Sequence, residues 1–199
     1  MKKNKIVILD PGHGKSTPGK CSPDKLFKEW EWTRMFCDRL KQLLVIEGYT
    51  VFITVTDETD LALSTRARFA NNVISEYNEF DCIFISIHNN AAGNGESWYN
   101  ATGWEVYTTK GITNSDKLAE CLAIEAENAG LKLRSDLSDG DKDKEQDFTV
   151  IYKAKCPAVL TENMFMDSKN DVMFLTSEDG INTLLNIHIN GINNYFEQC

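Results

Sequence analysis

Short apolar runs alternate with stretches of helical period along this chain. Ile6-Val7-Ile8-Leu9 is a fully apolar strand. From about Trp30 to Glu47 apolar positions recur with helical spacing, and Gly48 closes the run. Thr50 to Val55 is β-branched and reads as a strand, Ser64 to about Ser75 as a helix with Ser64 at its N-cap, and Cys82 to Ile87 as another apolar strand. A polar, Gly-rich loop leads to a strand over Trp104 to Thr108. Thr113 to Asn128 reads as a helix stopped at Gly130, Pro157 to Thr161 as a last strand, and the tail from about Glu178 as a helix. Apolar strands joined by helices predict an α/β domain whose mostly parallel sheet is covered by helices on both faces. No internal repeat or linker is visible. The stretch Ser135 to Asp147, rich in Asp and Lys, reads as a solvated loop.

Composition narrows the class. A chain of 199 residues with 42% hydrophobic and 26% charged positions fits one globular domain. Its net charge of −9 argues against nucleic acid and against charge-driven docking on anionic membranes or wall polymers. No run approaches the roughly 20 apolar residues that span a bilayer, so no membrane insertion is expected. The apolar run behind Met1-Lys2-Lys3 ends at Asp10, too soon for a signal-peptide core. The six cysteines, Cys21, Cys37, Cys82, Cys121, Cys156 and Cys199, lack metal-site spacing, and most are expected to be buried thiols.

Open α/β sheets bind ligands beyond the carboxyl ends of their strands. The first strand runs into Asp10-Pro11-Gly12-His13-Gly14, the central one into His88-Asn89-Asn90, and the last into Glu162-Asn163. If these strands are parallel, two of the three histidines and one carboxylate emerge at one edge. His188, inside the final helix, reads as an ordinary polar residue. Gly14-Lys15-Ser16 resembles the end of a phosphate loop, but that motif needs glycine at position 9, which is Leu9.

A hydrolytic zinc site usually has three protein ligands. At about 100° per residue, Phe36, Leu40, Leu43 and Leu44 define the buried stripe of the first long helix. Glu29, seven residues before Phe36, falls on that stripe, whereas Glu31 points away. An inward carboxylate without a partner costs several kcal/mol, roughly, and a cation would remove that cost. The alternative for Glu29 is a helix-start acid favoured by the dipole. For Glu162 it is a strand-end ion pair with Lys153 or Arg66.

Read in order, these segments resemble the zinc N-acetylmuramoyl-L-alanine amidases of the amidase-3 type. The resemblance is carried by Leu9-Asp10-Pro11-Gly12-His13-Gly14, by Glu29 followed by Arg39-Leu40, by Ile85-Ser86-Ile87-His88-Asn89-Asn90-Ala91, and by Pro157-Ala158-Val159-Leu160-Thr161-Glu162-Asn163-Met164-Phe165. Leu63-Ser64 through Arg66 and Gly103-Trp104-Glu105-Val106-Tyr107 match as well. The chain departs from the family at Lys15, where a second glycine is usual, at Thr33, where Asn is frequent, and at Asn163-Met164, where Gly-Phe is common.

The resemblance implies a single catalytic domain over residues 1–199 with a twisted six-stranded sheet. It implies Zn²⁺ held by His13, Glu29 and His88, and Glu162 as catalytic acid/base. The implied substrate is peptidoglycan or a muropeptide, cut between N-acetylmuramic acid and L-alanine. A peptidase cutting within the stem peptide and a non-catalytic wall-binding module remain as alternatives. No wall-binding module is visible, and a monomer is expected. Synthesis in the cytoplasm with action on the wall after release or export fits a phage or prophage endolysin, or a cell's own remodelling enzyme.

Overall fold

The computed structural model describes residues 2–77, 81–138 and 140–198. Met1 and Cys199 therefore lie outside the described residues, as does Asp139 of the acidic loop. Six strands form one sheet: β1 (Lys5–Pro11), β2 (Thr50–Ile53), β3 (Asp81–Asn90), β4 (Trp104–Thr108), β5 (Lys144–Glu145) and β6 (Ala158–Phe165), in the order β2-β1-β3-β6-β4-β5. All neighbours are parallel except β4 and β6, which run antiparallel. The helices are α1 (Glu29–Ile46), α2 (Leu63–Glu76), α3 (Asn114–Asn128), α4 (Thr149–Tyr152), α5 (Lys169–Thr176) and α6 (Glu178–Gln198).

Side chains alternate across the sheet and build two cores. Val7, Leu9, Ile85, Ile87 and Val159 pack with Phe36, Leu40 and Leu44 of α1, Leu118 and Leu122 of α3, and Leu184 and Ile187 of α6. Ile6, Ile8, Phe84 and Leu160 face the other way, onto Ala70 and Val73 of α2 and Val150 and Ile151 of α4. Each Val, Leu, Ile or Phe among them, fully buried, contributes about 1.5–3 kcal/mol, and both faces of β1 need it. Among the described residues, no helix is long and apolar enough to cross a membrane.

Several sequence expectations need correction. Ser64 does not cap α2: the helix begins at Leu63 behind Ala62, with no side-chain cap. Leu43 is 37% exposed, because α1 packs through the narrower ridge of Phe36, Leu40 and Leu44. The stretch Ser135 to Asp147 is not simply solvated. It contributes β5 to the sheet edge and buries Asp143, which accepts a hydrogen bond from Thr108 Oγ1. Periodicity did not reveal α4 or α5, each at most eight residues long. By contrast, Thr113 closes a capping box with Asp116 in front of α3. Cys37, Cys82 and Cys121 are buried, and Cys21 and Cys156 partly so.

His188 is a core residue. It is fully buried, with Nδ1 2.8 Å from the Leu184 carbonyl and Nε2 3.2 Å from Thr161 Oγ1. Burial lowers its pKa from 6.5 to about 4. The unfolded chain therefore binds this proton more readily than the folded one. Stability from His188 is full above pH 6.5 and is lost as pH falls toward 4. We expect metal-free protein to lose about 2–3 kcal/mol from this group between pH 7 and pH 4.5. Urea unfolding at the two pH values, wild type against His188→Gln, measures it. Equal losses in both proteins would contradict this role.

Candidate metal centre

The parallel register brings the ends of β1, β3 and β6 to one edge. Pro11 lies opposite Ile87, and His88 opposite Glu162. His88 and Glu162 sit inside their strands rather than after them, because ladder bonding continues through the polar positions that follow each first apolar run. His13 follows β1 in the left-handed region, at φ 57°. A non-glycine residue held there costs roughly 1–3 kcal/mol, so the surrounding bonds must enforce it. Gly12 must lack a side chain: a Cβ there would lie 2.5 Å from the His88 ring.

Glu29 is the first residue of α1 and is wholly buried, as its helical phase predicted, while Glu31 is exposed and paired with Lys28. One oxygen, Glu29 Oε1, lies 3.1 Å from His88 Nδ1 and 3.5 Å from His13 Nε2, and accepts a 3.0 Å bond from the Asn89 amide. The candidate ligand atoms of His13, Glu29 and His88 all lie within 4.8 Å of one another. The other oxygen, Glu29 Oε2, is buried without any partner, and so is Glu162 Oε2. A buried carboxylate oxygen left bare is costly. Two imidazoles, a carboxylate and an orphaned oxygen are what a divalent cation of zinc type would satisfy.

The electrostatics agree with that donor set. Burial lowers the His13 pKa to about 4, so it is a neutral donor. Burial would lower His88 too, but the hydrogen bond and charge of Glu29 outweigh it and raise the pKa. Glu29 responds in the opposite sense: burial would raise it, and the two histidines pull it down. Glu162 is pushed up to about 8 by burial, which the neighbouring His88 charge opposes and that of Glu29 reinforces. It forms no ion pair with Lys153 or Arg66 among the described residues; Arg66 pairs with Asp10 instead.

A sequence model of the family described as N-acetylmuramoyl-L-alanine amidase matches residues 7–194. The chain belongs to that amidase family. An endolysin of Bacillus phage SPP1 is 27% identical over 192 residues, covering 95% of this chain and 65% of its own length. The N-acetylmuramoyl-L-alanine amidase CwlM of Bacillus licheniformis is 30% identical over 193 residues, covering 94% and 66%. The chain thus spans about two thirds of these curated relatives. The crystal structure of N-acetylmuramoyl-L-alanine amidase from Clostridium difficile 630 superposes with a TM-score of 0.83 at 25% identity, covering 98% of both chains.

Around this amidase-family site lies a second set of residues that hydrophobic pattern did not single out. Arg34 donates to the carbonyls of Pro11, Gly12 and His13, and Arg66 to those of Pro11 and His13. These two guanidinium groups clamp the turn that presents His13. His88 Nε2 lies 3.2 Å from Ser86 Oγ, which donates to Asp10 Oδ2; Asp10 in turn accepts from Arg66 and Thr54. That chain fixes the His88 ring with Nδ1 toward Glu29. The departures from the family motif also have local roles. Thr33 donates to the Gly12 carbonyl. Asn163 accepts from Trp104 Nε1 and donates to the His88 carbonyl.

Proposed function

We propose that this protein is a zinc-dependent N-acetylmuramoyl-L-alanine amidase, hydrolysing the amide between the lactyl group of N-acetylmuramic acid and the L-alanine of the stem peptide. The observation that carries the reading is the juxtaposition of two bare buried carboxylate oxygens, Glu29 Oε2 and Glu162 Oε2, at a site with two imidazoles. His13, Glu29 and His88 would hold the metal, and Glu162 would remain free for proton transfer.

Zinc bound there would supply a Lewis acid, polarising the amide carbonyl, acidifying water and drawing Glu162 down from about 8 by its charge. Glu162 Oε2 takes the proton from the attacking water and returns it to the leaving amine nitrogen. The carboxyl is placed for this by strand register, opposite His88, and has no competing partner on Oε2. The Ser86–Asp10 pair keeps His88 oriented, and Arg34 and Arg66 keep His13 in its strained conformation.

The reading applies to the region shared with the amidase relatives. We assign it to the cell wall, reached after release or export, in lysis or in remodelling. Protein stripped with chelator should lose activity on purified peptidoglycan and regain it with one equivalent of Zn²⁺. Full activity in metal-free protein would contradict the proposal.

A further inference from the structure

The sheet carries the candidate catalytic row one strand further than the chemistry requires. His88 on β3 lies opposite Glu162 on β6, and Glu162 lies opposite Glu105 on β4. Partners in register project on the same face, so these three side chains form a line across the sheet. Glu105 is only 1% exposed and has both oxygens occupied. Arg134 Nε donates to Oε1, and Lys144 Nζ (3.1 Å) and the Tyr107 hydroxyl (2.7 Å) reach Oε2. Two cations share this one carboxylate at the end of the row, with Asp136 as a further acid near Lys144.

The cationic side chains are open to solvent, where Glu105 is not. The Arg134 and Lys144 side chains are 36% and 26% exposed. The Arg134 guanidinium lies 5.1 Å over the Phe165 ring, at the carboxyl end of β6, and is thus held at the same edge as Glu162. Among the described residues, the terminal nitrogens of Arg134 make no hydrogen bond. A guanidinium fixed through Nε, with its terminal N–H groups free, is a fork suited to a carboxylate. In a chain of net charge −9, an exposed guanidinium held on the line of the candidate catalytic residues is a distinct feature.

We propose that Arg134, supported by Lys144 and anchored by Glu105, binds a carboxylate of the stem peptide and so makes the site selective for acidic stems. The inference rests on the amidase reading. Neighbouring strands are about 4.8 Å apart and the guanidinium holds Glu105, one strand along from Glu162, so it lies roughly 5–8 Å along the row from Glu162. An extended peptide covers that in about two residues. The carboxylate in reach is therefore that of the second stem residue, one position beyond the L-alanine at the scissile bond.

The test uses two soluble probes, N-acetylmuramoyl-L-alanyl-D-isoglutamate and its D-isoglutamine counterpart, which differ only in that carboxylate. Zinc-loaded wild type should favour the acid in kcat/KM by about 10–100-fold, the range of one charge-assisted hydrogen-bonded contact. Arg134→Gln should cut the ratio to about threefold or less, mainly through KM for the acid, and Lys144→Gln should reduce it less. Arg134→Lys should restore part of the preference. Titrating both probes into zinc-loaded Glu162→Gln measures the preference without turnover. If the wild type cuts neither probe, the amidase reading is in doubt, and the binding ratio still decides this proposal. Equal handling of the two probes by the wild type, or an unchanged ratio in Arg134→Gln, would overturn it.

Discussion

Replacing Glu162 with glutamine is expected to lower hydrolysis of purified peptidoglycan by about 10²–10⁴-fold while leaving bound zinc unchanged, because the amide keeps the shape but cannot accept the water's proton. The structure separates this loss from misfolding. Glu162 makes no ion pair among the described residues, and its Oε2 is buried without a partner. Its pKa of about 8 records the cost of charging it there. Glutamine removes that cost, so the variant's melting temperature in the metal-free state should equal or exceed that of the wild type. Measured together, rate, zinc content and melting temperature discriminate between roles. Near wild-type turnover would remove Glu162 from the mechanism, and joint loss of zinc and rate would make it a ligand.

Glu29→Ala should lose zinc outright, whereas Glu31→Ala, two residues along the same helix, should keep both zinc and activity. Glu29 is wholly buried, with Oε1 against both histidines and Oε2 bare. Removing a direct ligand should exceed the roughly 10–100-fold affinity loss typical of an outer partner. Glu31 is exposed and pairs with Lys28 at 2.9 Å, a surface contact worth about 0–1 kcal/mol. Zinc titration of the two variants against wild type reads the difference directly. Retained zinc in Glu29→Ala would mean that a different carboxylate completes the site.

What was legible in the sequence follows from what pattern encodes. Helical phase separated Glu29 from Glu31 because Phe36 and Leu40 mark the side of α1 that meets the sheet. Parallel apolar strands placed His13, His88 and Glu162 at one edge, since the register of such strands is set by burial on both faces. Pattern failed where polar groups are buried for one another. Arg34 lies about 200° around the helix from Phe36, on the side that phase assigns to solvent, yet it is only 8% exposed because it bonds the Pro11, Gly12 and His13 carbonyls. Ser86 and Asp10 read as ordinary strand-end residues until His88 is known to be adjacent. The Ser135 to Asp147 stretch is nearly free of apolar residues, yet Asp143 and Lys144 are held by polar partners, Thr108 and Glu105, in place of a hydrophobic face.

The central claim is the bond that is cut, and mass spectrometry of peptidoglycan digested by the zinc-loaded protein tests it most directly. The account predicts free, full-length stem peptides with a new L-alanine N-terminus, and glycan strands left long. Shortened peptides still attached to muramic acid would contradict it and favour a peptidase cutting within the stem.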